Sequence, residues 1–251
     1  MGSVSGRSGT PQTPARLDGG FSYVHVACTE ALTLFHVGGR SAADIDAGGV
    51  LPGFTGTIVR DGYAGYTHLT DAEHAWCGAH LIGDLRGVHE TDPAAQQWAE
   101  HMANTLLIAK QATETAVAEA RTALTEAELS RIRAGYAGAL AKGRAENPPD
   151  RGGGLSKAGK LVERFATHRE MILRFTVDLA VPFTNNQAER DLRPVKLQQK
   201  ISATWRTLQG LADFAALRSY LSTAAKNGVD ALEALMQLFT TGPWMPPALS
   251  S

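Results

Sequence analysis

Two carboxylates stand where chemistry is possible. Asp61 closes the β-branched run Thr57-Ile-Val-Arg60 and is followed at once by Gly62. Its side chain would project from a strand end where glycine lets a ligand or another backbone come close, although an Asp-Gly pair after a strand is also an ordinary turn. Glu189 lies in Asn185-Asn-Gln-Ala-Glu-Arg-Asp-Leu-Arg193. Asn185 or Asn186 can cap a helix whose first turn carries Glu189, and the plainer reading is a carboxylate that complements the positive helix end. Two or three carboxylates that converge can hold Mg2+ or Mn2+, and a metal pair can activate an attacking hydroxyl and stabilise the leaving oxygen of a phosphodiester. Downstream of Glu189 come Arg190, Arg193, Lys196, Lys200 and Arg206, with Trp205 among them and Asp191 as the single acid. Such a cluster either neutralises phosphates or forms a solvated charged face.

These residues need strands and helices to hold them. The chain has 251 residues, 43% of them hydrophobic, enough for one large domain or two small ones. The net charge is −1, so a polyanion partner must be met by local clustering of charge. Cys28 and Cys77 belong to no CxxC pair and fit a reducing, cytoplasmic setting. No stretch is apolar for long enough to span a bilayer, so no membrane partner is expected. His74, Cys77 and His80 fall three apart, with His68 nearby, but nothing supplies a second zinc knuckle, and burial of Cys77 with His80 near the catalytic pocket is the preferred reading.

Residues 1–20 are rich in Gly, Ser, Thr and Pro and read as a disordered or degenerate segment. Residues 23–26 and 32–37 read as two strands of a hairpin, Ser41 as the cap of a short helix, and residues 53–60 as the strand that runs into Asp61. Helical periodicity covers residues 93–142, is broken by Asn147-Pro-Pro-Asp-Arg-Gly-Gly-Gly154, and resumes over 157–175. Two further helices are expected near 211–226 and 230–239, separated by the turn Asn227-Gly228. Strands first and helices later, with one carboxylate at a strand end and another on a late helix, make an α/β protein with a helical insertion.

The run Pro182-Phe-Thr-Asn-Asn-Gln-Ala-Glu-Arg-Asp-Leu-Arg-Pro-Val-Lys-Leu-Gln-Gln-Lys-Ile-Ser202, continued by Arg218-Ser-Tyr-Leu-Ser-Thr-Ala224, closely resembles the transposases of the insertion sequence sixty-six family. So do Gly49-Val-Leu-Pro-Gly-Phe-Thr-Gly-Thr-Ile-Val-Arg-Asp-Gly-Tyr-Ala-Gly-Tyr66 and Cys77-Gly-Ala-His-Leu-Ile-Gly-Asp-Leu85, and the likeness extends over residues 13–239. The resemblance implies a ribonuclease-H-like mixed sheet with a helical insertion and carboxy-terminal helices, Mg2+ or Mn2+ as cofactor, and an Asp-Asp-Glu triad in which Asp61 is the second acid and Glu189 the third. It implies hydrolysis at transposon ends followed by attack of a 3′ hydroxyl on target DNA. Its organisation would be 21–92 as the first part of the core, 93–180 as the insertion, 181–240 as the remainder with the third acid and the basic helix, and 241–251 as a tail.

The first acid of such proteins falls where this sequence reads Pro11-Gln-Thr-Pro-Ala-Arg-Leu-Asp18, with Pro11 in the place of the Asp. The first strand is therefore expected to be missing and the triad incomplete, with Asp18, in a Leu-Asp-Gly-Gly turn, a weak substitute. Asp61 and Glu189 are the expected metal ligands, and Arg190, Arg193, Lys196, Lys200 and Arg206 the DNA contacts. The partners expected are DNA, at transposon ends and target, and full-length transposase or further copies of this chain, in a bacterial, nucleoid-associated setting. The rival readings are a catalytically inactive product that binds DNA or transposase, and a decayed reading frame.

Overall fold

The computed structural model describes residues 7–9, 12–17, 20–202 and 205–247. It begins with strands β1 (Arg7–Gly9), β2 (Gln12–Leu17), β3 (Gly20–Cys28) and β4 (Thr33–Gly38). The β3–β4 hairpin expected from the sequence is antiparallel, from Tyr23↔Gly38 to Cys28↔Thr33. Helix α1 (Ala42–Asp46) starts at Ser41, whose Oγ accepts from the Asp44 amide while the Asp44 carboxylate accepts from the Ser41 amide. This reciprocal cap satisfies two amides that the helix start would leave without partners. Strand β5 (Thr57–Arg60) is buried along its whole length, and β6 (Glu73–Trp76) follows. The remainder is helical: α2 (Gly78–His89), α3 (Gln97–Ala118), α4 (Glu126–Glu146), α5 (Lys157–Thr167), α6 (Arg169–Val177), α7 (Asn186–Ser202), α8 (Leu208–Lys226) and α9 (Ala231–Thr240).

The expectation of a missing first strand is corrected. β2 pairs antiparallel with β3 from Gln12↔His25 to Leu17↔Gly20, and Gly9↔Cys28 of β1 falls in the same register. β1 and β2 therefore lie on one line along the edge of β3 opposite β4. On its other side β1 runs parallel to β5, with Gly9 opposite Val59. The sheet order is β4, β3, the β1–β2 line, β5, β6, so the segment read as a solvated tail supplies a central strand. Composition misled because a Gly- and Ser-rich stretch has little β preference of its own, yet a ladder on either side satisfies its backbone, and Thr13 and Ala15 alternate inward to burial. Asp18 and Pro11 lie outside the described residues.

The chain divides into two compact units, Met1–His74 with Asn185–Ser251, and Ala75–Thr184. In the first, alternation gives the sheet two covered faces. Val24, Val26 and Cys28 of β3 with Ala15 and Phe35 pack against Ala188, Leu192 and Val195 of α7 and Leu211 and Ala215 of α8. On the opposite face Ile58 packs with Ile45, Leu51, Phe54, Tyr66 and Leu69.

The second unit contains helices α2–α6. The periodic stretch 93–142 is two helices rather than one, because Ala120 takes a left-handed backbone (φ 56°) and Thr125 opens α4 with a capping box to Glu128. Arg121 ion-pairs with Glu119 and Glu128 across this turn, and with Thr125 it holds the Glu128 carboxyl down at about 2. Trp98 is the pivot of the unit. It is fully buried, meets Phe165 edge to face with centroids 6.4 Å apart, and donates from Nε1 to Gln96 Oε1 at 2.8 Å. Gly143 lets α4 approach, since a Cβ there would stand 2.8 Å from Val162 Cγ2 and 3.0 Å from Trp98 Cδ2. Trp98→Ala is expected to cost about 3–5 kcal/mol, the range for emptying a large aromatic site, measured by urea unfolding; a loss below 1 kcal/mol would contradict this packing.

Candidate active site

Asp61 follows the last residue of β5, as the sequence indicated. Its Oδ1 accepts from the Tyr63 amide at 3.0 Å, which closes the loop into an Asx turn. Beneath it lies Arg60, 2% exposed, whose Nε donates to His74 Nδ1 at 3.0 Å and whose Nη1 donates to the carbonyls of Asp61 (3.0 Å) and Tyr63 (2.9 Å). His74 accepts at Nδ1, so its proton sits on Nε2, facing the Leu69 carbonyl at 3.1 Å. Burial pulls the Arg60 guanidinium below its ordinary value, with the nearby Asp61 charge opposing. The loop that carries Asp61 is thus pinned from inside by a buried cation. Sequence reasoning missed Arg60, because its partner stands 14 residues away and the pairing is visible only once β5 and the start of β6 are laid together.

Glu189 sits in the first turn of α7, with its amide bonded to the Asn185 carbonyl. Its Oε2 accepts from Lys196 Nζ at 3.1 Å. The close approach of α7 to the sheet is set at Gly9: a Cβ there would stand 3.0 Å from Ala188 Cβ. Val59 pairs with Gly9, so it faces the same side of the sheet as Gly9. Asp61 and Glu189 offer hard oxygen donors suited to Mg2+ or Mn2+. Among the described residues no three or more His, Cys, Asp or Glu gather in a metal-holding group.

Asp191, the one acid in the basic run, faces inward. Its Oδ2 accepts from Lys226 Nζ (3.0 Å) and Thr33 Oγ1 (3.0 Å), and both members of the ion pair are about 10% exposed. That leaves Arg190, Arg193, Lys200 and Arg206 exposed and, among the described residues, without an ion pair, while Lys196 is exposed but engaged with Glu189. Trp205 is part of the fold: its amide donates to the Arg16 carbonyl and its ring packs on Phe214, centroids 4.9 Å apart. Cys28 and Cys77 are both buried and in no disulfide, and burial pushes Cys28 up to about 11. His68 is held by Asp46 at 2.7 Å and by the Gly65 carbonyl at 2.8 Å.

His25 belongs to the loop support. Its Nε2 donates to the Gly39 carbonyl (2.7 Å), which leaves Nδ1 to accept from the Tyr66 hydroxyl (3.2 Å). Burial, mainly, lowers its pKa below 6.5. A group whose folded pKa is depressed binds protons more readily unfolded, so its contribution is present above the unfolded value of 6.5 and is lost as pH falls through the folded pKa. Stability is therefore expected to drop between pH 7 and pH 5, and His25→Gln to flatten that slope; a parallel pH profile for the two proteins would exclude His25 as its source.

Asp61 thus follows the end of a strand and Glu189 opens a helix whose exposed charged residues are basic. The chain matches the model of the Transposase IS66 family over residues 10–213 and belongs to that family. A curated relative, the uncharacterized protein y4qI of Sinorhizobium fredii (strain NBRC 101917 / NGR234), is 28% identical over 200 residues, which is 76% of this chain. The chain spans 36% of that relative's length. Among the described residues no helix is long and apolar enough to cross a membrane.

Proposed function

We propose that this chain is the ribonuclease-H-like catalytic portion of a DNA transposase, with Asp61 and Glu189 as its second and third acids and with catalysis impaired at the first. The observation that supports the reading is at Gly9: the central strand runs parallel to β5, the strand that leads into Asp61, and lies close against Ala188 in the first turn of α7, beside Glu189. By family resemblance Pro11 stands where the first acid is expected, so the donor taken to be missing is one carboxylate. Arg190, Arg193, Lys200 and Arg206 position DNA phosphates, and Lys196 does so when released from Glu189. Residues 93–180, which fall within the compact unit Ala75–Thr184, are the insertion between the second and third acids.

A binding-only role, on DNA or on an intact transposase, is favoured by one specific feature, the Lys196–Glu189 ion pair, which already neutralises the third acid. The decayed-frame reading rested on a sheet with bare edges where its first strand should be, and the β1–β2 line occupies that place. The test is Mg2+- or Mn2+-dependent cleavage and joining of a labelled transposon-end duplex by this chain, by Glu189→Gln and by Pro11→Asp. Reaction by the unchanged chain that Glu189→Gln abolishes would mean that another acid completes the site. Reaction only after Pro11→Asp supports the impaired-catalyst reading, and no reaction by any of them favours the binding-only role.

A further inference from the structure

Between the end of β4 and α1, the turn Gly38-Gly39-Arg40 is fixed at three successive carbonyls. Gly38 accepts from Ser22 Oγ (2.9 Å), Gly39 from His25 Nε2 (2.7 Å) and Arg40 from the Tyr63 hydroxyl (2.9 Å). The Arg40 guanidinium then lies 4.0 Å from the centroid of the Tyr63 ring and 5.0 Å from that of Tyr23. It is exposed, and among the described residues it makes no ion pair and its guanidinium no hydrogen bond. Asp44, four residues on in the first turn of α1, is occupied by the Ser41 amide and hydroxyl and by the Gly39 backbone.

An arginine in this state is unusual. Two aromatic faces hold the cation in one place, while its N–H donors, arranged in a fork that matches the oxygens of a phosphate, point to no acceptor. The ordering cost of the long side chain has been met by the fold, so an anion that arrives finds a preset receptor. Tyr63 also supplies the amide bound by Asp61 Oδ1, so the receptor and the Asp61 carboxylate are two ends of one short loop.

We propose that Arg40, gripped between Tyr23 and Tyr63, binds a backbone phosphate of a DNA strand laid past Asp61. The inference rests on the reading of this chain as a transposase portion and adds a contact remote in sequence from the basic helix. The Tyr63 ring acts as a positioning group, and His25 and Tyr66 act through the turn beneath.

The experiment is fluorescence anisotropy of the full chain with a labelled 30-base-pair duplex over a range of NaCl concentrations, for the unchanged protein, Arg40→Ala, Tyr63→Leu and the pair Arg190→Ala with Arg193→Ala. Arg40→Ala is expected to weaken binding severalfold and to reduce the slope of log affinity against log salt by about 1, the signature of one lost phosphate contact. Tyr63→Leu keeps the charge, so it should weaken binding with the slope nearly retained. Circular dichroism on each variant separates a lost contact from a lost fold. If the α7 pair weakens binding while Arg40→Ala leaves both affinity and slope unchanged, the Arg40 proposal is wrong and the reading of the basic helix stands. If the unchanged chain binds no DNA at low salt, both fall together.

Discussion

Pro11→Asp is expected to raise Mn2+-dependent cleavage of a transposon-end duplex at least about a thousandfold over the unchanged chain, because residues that act as one catalytic unit are strongly non-additive and loss of one costs on the order of 10⁴-fold. The elements that carry Asp61 and Glu189 are firmly held. β1 is held between an antiparallel and a parallel neighbour, Arg60 fixes the Asp61 loop from below, and α7 lies close over Gly9. If the family reading is right, an aspartate at position 11 restores the third hard oxygen donor of the triad. Adding Glu189→Gln to the Pro11→Asp chain should return it to background. A folded Pro11→Asp protein that cleaves no faster than its parent would show that position 11 is not the missing ligand.

The second large effect lies behind α7. Lys226→Met is expected to destabilise the protein by about 3–5 kcal/mol, the cost of leaving one member of a buried ion pair without the other. Lys226 Nζ donates to Asp191 Oδ2 (3.0 Å) and also to the carbonyls of Thr29 (2.8 Å) and Leu32 (3.0 Å), so its removal strips three acceptors at once. Replacing both partners, Lys226→Met with Asp191→Leu, should recover much of the loss, since no buried charge then stands alone. Urea unfolding of the two single variants and the double variant measures this directly. A double variant no more stable than the worse single one would refute the account.

What was legible in the sequence is what local chemistry decides. The β3–β4 hairpin, the Ser41 cap, β5 running into Asp61, and α8 and α9 parted at Gly228 (φ 78°) each depend on side chains a few residues apart. The placement of Asp61 after β5 and of Glu189 in the first turn of α7 was readable for the same reason. The β1–β2 line was not, because its strand character comes from partners at residues 20–28 and 57–59 rather than from its own composition. Arg60 with His74 and Arg40 between two tyrosines are likewise products of pairing across distance. Nor could the sequence show that Lys196 meets Glu189 or that Trp205 packs on Phe214.

Gly9 and Ala188 are the two smallest side chains that could stand between the central strand and the helix bearing Glu189. They act as a shim: thickness there sets the height and tilt of the whole helix, much as a spacer under one leg sets the level of a table. A single methyl added at position 9 lands 3.0 Å from Ala188 Cβ, and the lever arm of α7 would carry that lift to Arg193 and Lys200, many ångströms from the change. Inherited variation at this spot is then read out in how the outer face of α7 meets its partner, although neither residue touches it.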